Sequence, residues 1–151
     1  MSQLKDTINA DLKTAMLARD TVKTQTLQGL KAAILNEEVA KKLRETGLDE
    51  AAIEQLIARE CKKRDEAAEL FERGGNRESA TKERTEKDIL LVYLPEQMSE
   101  ADVIALIDSV IAEVQPEGMK DMGRVIGAVK ARAGNSADGA LVAQLVKAKL
   151  S

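Results

Sequence analysis

The sequence contains no histidine and no tryptophan, and its only aromatic residues are Phe71 and Tyr93. Without histidine the chain cannot build a Ser–His–Asp or Cys–His catalytic site, a histidine-ligated metal site or a histidine-based pH sensor. With so few aromatic rings, we do not expect platforms that stack the bases of single-stranded nucleic acid. Any positive assignment of function therefore has to come from the placement of charges and from sequence motifs.

The single cysteine, Cys61, excludes an internal disulfide bond and any zinc site built from several cysteines. It fits a reducing compartment. We interpret Cys61 as a small apolar residue and not as a nucleophile, because the chain offers no base partner of the usual kind. The N-terminal residues carry charges every few positions, and no run of about 20 apolar residues occurs. We expect a soluble cytoplasmic protein with no membrane partner, no metal and no cofactor.

The 151-residue sequence is rich in residues that favour helices. Alanine occurs 22 times and leucine 17 times, whereas proline occurs only twice. This composition favours helices and leaves little for strands. Apolar residues recur at three- and four-residue spacing in seven segments, which are separated by capping residues, glycines and prolines. The sequence therefore predicts an all-α protein with seven helices.

Polar residues at the predicted helix starts divide the chain into these segments. The predicted N-caps are Ser2, Asp20, Asp49, Asn76, Ser99 and Ser136. Leu94-Pro95 marks the end of the fourth helix and a change in character of the sequence. We expect a four-helix N-terminal bundle in residues 1–94 and a three-helix C-terminal bundle in residues 95–151. Met16 and Phe71 are placed on the apolar faces of the first and third helices.

The net charge of −3 averages three regions that differ in charge. Residues 1–94 carry 17 basic and 18 acidic residues, and residues 95–117 carry no basic and 6 acidic residues. Residues 118–151 carry 6 basic and 2 acidic residues, so the last two helices are basic beside an acidic fifth helix. A local charge of +4 can contact a few phosphates, although the same pattern occurs on solvated surfaces that bind no nucleic acid.

The predicted sixth helix, about residues 120–133, has small residues on the side opposite its apolar face. Gly123, Gly127 and Ala131 follow one another at four-residue spacing, with Lys120 and Arg124 on or beside that stripe. Glycine inside a helix costs about 1 kcal/mol relative to alanine, so two such glycines suggest that something approaches the backbone closely. An RNA ribose-phosphate strand, a partner helix or another helix of the same chain would each explain the pattern.

The third and fourth helices carry charged residues in line with their apolar faces. A charged pair at i, i+4 projects from the stripe that contains Phe71, and two glutamates share a side with Leu90. The expected, partly buried ionic cluster consists of Glu60, Arg64, Arg77, Glu83 and Glu86. The alternative is a catalytic carboxylate pair, but carboxylates matched by guanidinium groups usually fix structure.

Short motifs occur along nearly the whole chain. They are Lys63-Arg64-Asp65, Phe71-Glu72-Arg73-Gly74-Gly75, Glu86, Tyr93-Leu94-Pro95-Glu96-Gln97-Met98-Ser99, Lys120-Asp121-Met122-Gly123-Arg124-Val125-Ile126 and Ala137-Asp138-Gly139-Ala140-Leu141-Val142. With these motifs in this order, the chain resembles the GatB/YqeY family. That family comprises small free-standing proteins similar to the C-terminal tail of the B subunit of the aspartyl/glutamyl-tRNA amidotransferase.

The resemblance implies a fold of two helical bundles, one of four helices and one of three. It also implies a function, because the amidotransferase tail holds tRNA while the chemistry occurs in other domains and subunits. By position, the RNA-facing elements would be the Gly123-Arg124 helix and the helix start at Ala137-Asp138-Gly139. The candidate nucleic-acid-binding residues are Lys120, Gly123, Arg124, Gly127, Lys130 and Lys147. At Gln28 and at Asn135-Ser136 the chain lacks basic residues that the family usually carries.

We therefore expect a non-catalytic module that binds tRNA or an RNA–protein assembly. A protein-interaction adaptor that uses the Gly123/Gly127 helix face is the first alternative. An accessory role beside a glutamine-dependent carbon–nitrogen ligase, the activity associated with the amidotransferase, is the second. The sequence has no amidase Ser-Ser-Lys arrangement and no ATP phosphate loop, so we expect no catalysis by the chain alone.

Overall fold

The structure is a computed structural model that describes residues 2–151, and the regular secondary structure of this part of the chain is helical. The seven α-helices are α1 (Gln3–Leu17), α2 (Thr21–Ala40), α3 (Glu50–Arg73), α4 (Arg77–Leu91), α5 (Glu100–Val114), α6 (Met122–Ala133) and α7 (Gly139–Leu150). Short 3-10 turns at Met119–Asp121 and Gly134–Ser136 flank α6. The prediction of an all-α chain with seven helices is confirmed. Among the described residues, no helix has both the length and the apolar character needed to cross a bilayer.

Side-chain caps explain where most of the helices begin. The predicted caps of α1 to α5 each accept a hydrogen bond from the backbone N–H three residues further on. These caps are Ser2, Asp20, Asp49, Asn76 and Ser99. They are confirmed, because each one satisfies an N–H that the first turn of its helix leaves without a partner.

The predicted cap of the last helix is wrong. Ser136 belongs to a 3-10 turn, and its carbonyl accepts a hydrogen bond from the Met98 N–H at 2.8 Å. The following residue, Ala137, is extended, and Asp138 caps α7 by accepting from the Ala140 N–H at 3.1 Å. The contact with Met98 is distant in sequence, and it delays the start of α7 by two residues.

The chain divides into two compact units, Met1–Leu94 and Pro95–Ser151. Helices α1 to α4 lie in the first unit and helices α5 to α7 in the second. Each unit surrounds a hydrophobic cluster of its own. Most of the stability of helices in water-soluble proteins comes from burying one face in such a cluster.

The first unit buries the inner faces of α1 to α4 together with Leu48 from the α2–α3 loop. Its fully buried large apolar side chains are Ile8, Leu27, Leu30, Ile34, Ile53, Ile57 and Leu90. Met16 and Phe71 do not join them, since they are 54% and 38% exposed. Both residues lie in the last turns of their helices, next to the loops that lead to the following helix, where less neighbouring structure covers a side chain.

The second unit buries a smaller core whose fully buried members are valine and isoleucine. Its buried residues are Val103, Ile107, Val110, Val125, Val129, Val142 and Val146. They recur at three- or four-residue spacing within α5, α6 and α7, so one face of each helix turns inward. Because β-branched residues are mediocre helix formers, the burial of these side chains is the main stabilising contribution to the three helices.

Candidate nucleic-acid interface

Helix α6 has one buried face and one bare face. Val125 and Val129 are fully buried, whereas Gly123 and Gly127 are exposed on the other side. A Cβ atom added at either glycine would have no atom within 4 Å. Packing of these glycines against another helix of their own unit is therefore excluded as the reason for their presence. The backbone of α6 is open to an external ligand along this side.

The basic residues assigned to this face are all exposed, but they have different neighbours. Lys120 lies in the 3-10 turn before α6 and pairs with Glu117. Arg124 lies one turn further on, where its Nη2 atom is 3.6 Å from Asp121 Oδ2. Within the described residues, Lys147 forms no ion pair. Two of the candidate cations are thus held by neighbouring carboxylates, whereas Lys147 is free of them.

Lys130 lies beside the start of α7. A Cβ atom added at Gly139 would lie 3.6 Å from Lys130 Cε and 3.7 Å from its Nζ. The structure thereby brings Lys130 close to Gly139, in the helix start that the resemblance would make RNA-facing. Backbone N–H groups and the helix dipole both favour anions at such a position. The Asp138 carboxylate already accepts from the Ala140 N–H there, and the Lys130 ammonium adds a full positive charge.

The acidic helix α5 neutralises two further basic residues of the second unit. Arg132 at the end of α6 pairs with Glu113, and Lys149 in α7 lies with its Nζ 2.9 Å from Asp108 Oδ1. All four side chains are at least 41% exposed. The charge separation seen in the sequence thus becomes a set of exposed ion pairs, a type of contact that contributes little to stability.

In the first unit, Arg64 is the centre of an ionic cluster between α3 and α4. Its Nη1 atom lies 3.1 Å from Glu60 Oε2, and its Nε atom lies 3.5 Å from Glu86 Oε2. The three side chains are 17% to 21% exposed. Beside them, Lys87 Nζ lies 2.8 Å from Asp65 Oδ2. This pair lies outside the predicted cluster. Because each carboxylate has a cationic partner, the cluster is suited to holding α3 and α4 together and not to acid–base chemistry.

Two predicted members do not join this cluster. Arg77 is exposed and is the first residue of α4, nine residues before Glu86, which corresponds to about 13 Å along the helix axis. Glu83 is half-buried one turn before Glu86, and the structure gives it no ion pair with Arg64. No group of three or more acidic or cysteine side chains among residues 2–151 is arranged to hold a metal ion.

The first unit also buries a charged residue that is not among the predicted site residues, Glu38, which is 1% exposed. Lys5 Nζ lies 3.0 and 3.1 Å from its two oxygens, and the Leu48 N–H donates to Oε2 at 2.9 Å. Desolvation raises the pKa of the Glu38 carboxyl, but the hydrogen bonds from Leu48 and Lys5 outweigh it and hold this pKa below its usual range. Glu38 follows Leu30 and Ile34 at four-residue spacing, a signal that places it on the buried face of α2.

The close approach of the α2–α3 loop to Glu38 explains why residue 47 is glycine. Gly47 has a φ of +77°, and a Cβ atom added there would lie 3.1 Å from Glu38 Oε2. A side chain at this position would be strained by the backbone conformation and would crowd the carboxylate. Glu38 therefore holds the α2–α3 loop against α2.

The interpretation of Cys61 as a buried apolar residue is confirmed. The side chain is 5% exposed and belongs to the core of the first unit. Burial raises the pKa of the Cys61 thiol to about 11, although Lys87 and Arg64 act in the opposite direction. The thiol is therefore protonated near neutral pH, and only the thiolate is an effective nucleophile.

Comparison with known proteins places nearly the whole chain in one family. A family model described as "Yqey-like protein" matches residues 5–150. Three similar curated proteins are each named "Altered inheritance of mitochondria protein 41, mitochondrial". The one from Lachancea thermotolerans is 28% identical over 110 residues, which cover 72% of this chain and 58% of the relative.

The other two relatives show the same level of similarity. The protein from Pyrenophora tritici-repentis is 27% identical over 135 residues, 85% of this chain and 72% of the relative. The protein from Eremothecium gossypii is 31% identical over 87 residues, 58% of this chain and 46% of the relative. The matched part of the chain thus spans about half the length of two of these three relatives.

Proposed function

The chain belongs to the family of Yqey-like proteins, and from this premise we propose that it is a non-catalytic helical module that binds tRNA or an RNA–protein assembly. The observation that carries the proposal is the bare backbone face of α6 at Gly123 and Gly127, which exposed cations accompany. A nucleic-acid backbone is a ligand that benefits both from close approach to the peptide chain and from positive charge.

In this proposal, binding depends on phosphate contacts and shape. The residues that would supply the positive charge are Lys120, Arg124, Lys130 and Lys147. The second unit contains no aromatic side chain, because Phe71 and Tyr93 both lie in residues 1–94. Stacking on bases, a common source of sequence preference in RNA recognition, is therefore not available there. We expect weak, strongly salt-dependent binding without base specificity.

A fluorescence anisotropy titration of labelled bulk tRNA tests this proposal. Three to four phosphate contacts give a slope of about −3 in a plot of log affinity against log salt concentration. Affinity then falls by about 50-fold or more between about 50 mM and about 200 mM salt. Arg124→Glu is expected to weaken binding at least about tenfold at low salt, since it replaces an attraction to phosphate with a repulsion.

The matched control for that titration is Arg77→Glu, which makes the same charge reversal on an exposed residue of the first unit. We expect it to change the affinity less than about twofold at the higher salt concentration, because Arg77 is not among the proposed phosphate contacts and salt screens charges that make no contact. Absence of tRNA binding at low salt, or equal effects of Arg124→Glu and Arg77→Glu, would contradict the proposal.

The same bare face supports a protein-interaction adaptor as the second candidate function. A partner helix can approach a glycine face more closely than a face with larger side chains. Gly127→Leu would fill the open space beside α6 and is expected to abolish capture of such a partner. Capture that survives RNase treatment and is lost in Gly127→Leu would favour the adaptor over the RNA-binding module.

An accessory role beside a glutamine-dependent carbon–nitrogen ligase is compatible with either candidate. In this role the chain would hold an RNA or a protein while a partner enzyme performs the amidation. The buried, protonated Cys61 and the cation-paired carboxylates near Arg64 offer no group suited to that chemistry. We expect the purified chain alone to show no amidation that depends on glutamine and ATP, and such activity would refute the non-catalytic proposal.

We further propose that residues 1–94 and 95–151 form a four-helix and a three-helix bundle that fold independently. The separate hydrophobic clusters of the two units support this division. Cytoplasmic location is also a proposal, and the single cysteine, Cys61, fits a reducing compartment. The three curated relatives carry the word mitochondrial in their names. Subcellular fractionation would distinguish a cytoplasmic from a mitochondrial location for this chain.

A further inference from the structure

Carboxylates of the second unit occupy most of its own basic residues. Of the six basic residues in residues 118–151, four form ion pairs within the unit. Two of these pairs, Lys120–Glu117 and Arg124–Asp121, involve cations of the candidate interface. The positive charge available to an incoming phosphate is therefore smaller than the sequence suggests.

The two carboxylates on the interface differ in how firmly they are held. Asp121 Oδ2 accepts a hydrogen bond from the Glu117 backbone N–H at 2.8 Å, and the Asp121 side chain is only 21% exposed. The side chains of Glu117 and Lys120 are 72% and 71% exposed and are joined only to each other. Glu117 can thus swing away when a phosphate arrives, whereas Asp121 stays beside Arg124.

We propose that Glu117 and Asp121 mask the nucleic-acid interface by occupying the places of phosphate groups on Lys120 and Arg124. The inference rests on the proposed function and describes its regulation. Exposed ion pairs of this kind contribute little free energy, so a strand that brings several phosphates displaces them. Asp121 remains beside Arg124 and repels the strand, which lowers its affinity and disfavours ligands with a single phosphate, whereas Glu117 moves away at little cost.

Masking also changes the salt dependence of binding. Nucleic-acid binding releases cations from the phosphates, and this release produces the steep dependence on salt. A carboxylate that loses its internal partner takes up a cation from solution and offsets part of that release. Removing a masking carboxylate should therefore raise affinity and also steepen the slope of log affinity against log salt concentration.

Neutral isosteres test the masking without removing hydrogen-bond acceptors. Asp121→Asn keeps a side-chain oxygen that can accept from the Glu117 N–H but lacks the negative charge. At about 50 mM salt we expect this variant to bind bulk tRNA about three- to tenfold more tightly than the unmodified chain. Glu117→Gln is expected to give about a twofold gain, because Glu117 is free to move away. Each change should steepen the salt slope by up to about one.

The matched control is Glu100→Gln, which removes a carboxylate from α5 that forms no ion pair with any residue the structure describes. We expect this control to change the affinity by less than about 1.5-fold, so that general charge effects are separated from unmasking. Circular dichroism establishes that each variant keeps its helices. If Asp121→Asn does not fold, the comparison of Glu117→Gln with Glu100→Gln remains decisive.

The outcomes distinguish the masking from the proposed function. Tighter binding and a steeper salt slope in Asp121→Asn and Glu117→Gln, with no change in Glu100→Gln, would support the masking. If the unmodified chain binds tRNA but the two variants behave like the control, the masking is overturned while the proposed function stands. If none of the chains binds tRNA at low salt, both are overturned.

Discussion

In the first unit the carboxylate of Glu38 is 1% exposed, whereas the ion pairs of the second unit connect exposed or half-exposed side chains. The buried polar residues of the described chain, Ser2, Thr26 and Glu38, all belong to the first unit. The fully buried core residues of the second unit are valine and isoleucine. Some ion pairs of the first unit are therefore buried or half-buried, at Glu38 and around Arg64, whereas those of the second unit lie at its surface, where a ligand can reach them.

This difference separates two roles that the same residue types can have. A buried ion pair has been desolvated, so removing one partner leaves an unpaired charge and has a large energetic effect. An exposed pair exchanges its partner for water, salt or phosphate at little cost. The first unit should therefore respond to charge mutations mainly through its stability, and the second mainly through its binding.

The largest expected effect tests whether the two units fold independently. Ile107→Ala removes a fully buried side chain from the second unit and should destabilise that unit by about 3 kcal/mol. Tyr93, the only tyrosine, lies in the first unit, so its fluorescence reports on that unit during urea unfolding while circular dichroism reports on both. We expect the urea concentration at the midpoint of the Tyr93 transition to be unchanged.

The matched control is Ile53→Ala, which empties a buried site in the core of the first unit. It should move the Tyr93 transition and leave the unfolding of the second unit unchanged. Equal shifts of both transitions in either variant would show that the units unfold together.

The next effect concerns the buried carboxylate of the first unit. Glu38→Ala should lower the free energy of unfolding by about 2–3 kcal/mol, because the Leu48 N–H and the Lys5 ammonium lose their acceptor. Urea titration followed by Tyr93 fluorescence measures the change. Glu45→Ala, at an exposed residue of the same loop, should stay within about 0.5 kcal/mol. Similar effects of both variants would show that burial of Glu38 does not stabilise the unit.

The lowered pKa of Glu38 makes part of this stability depend on pH. Because the pKa is lower in the folded than in the unfolded chain, the contribution is fully present above the unfolded value of about 4.3. It is lost as pH falls through the lower, folded pKa. Glu38→Gln should therefore reduce the loss of stability between about pH 5 and about pH 3. Parallel pH profiles for the variant and the unmodified chain would contradict this expectation.

A smaller effect is expected in the Arg64 cluster. Arg64→Met should lower the free energy of unfolding of the first unit by about 1–2 kcal/mol, because the half-buried Glu60 and Glu86 lose their shared partner. Lys63→Met is the matched control, since Lys63 is 71% exposed and pairs with the same Glu60. It should cost less than about 0.5 kcal/mol. A loss no larger than that of the control would argue against a structural role for Arg64.

The smallest effect has the opposite sign. Gly127→Ala should stabilise the second unit by about 0.5–1 kcal/mol, because the added methyl group meets no atom within 4 Å and alanine favours helix. Thermal unfolding followed by circular dichroism measures the gain. Gly134→Ala is the control, since Gly134 has a φ of +56°, and alanine there should be destabilising. A destabilised Gly127→Ala variant would mean that the bare face of α6 is covered.

Local interactions explain which parts of the fold could be predicted from the sequence. Ser2, Asp20, Asp49, Asn76 and Ser99 cap their helices through hydrogen bonds that span three residues, so the sequence pattern contains both partners. The role of Ser136 could not be predicted from neighbouring residues. Its carbonyl accepts from Met98, 38 residues earlier in the chain, and this contact holds the 3-10 turn that moves the cap to Asp138.

The candidate interface could be predicted only in part for the same reason. The positions of Gly123 and Gly127 opposite the buried valines follow from the period of a helix. The ion pairs of Arg132 with Glu113 and of Lys149 with Asp108 connect different helices and required the packing of α5 with α6 and α7. The ion pairs of Lys120 with Glu117 and of Arg124 with Asp121 join residues three positions apart. Their effect on ligand binding follows only from the structure, which shows that the glycine face of α6 is open.

The sequence by itself determined the all-α fold, the number of helices and the start of five of them, because helix propensity, periodicity and capping act within a few residues. Only the tertiary structure decided which partners the buried charges have and which cations remain accessible. Glu38 is buried because the α2–α3 loop returns over it with Gly47 and Leu48, and the cations of the last two helices are partly neutralised because α5 packs beside them. Burial and pairing depend on neighbours that are distant in the chain, and those neighbours are defined only by the fold.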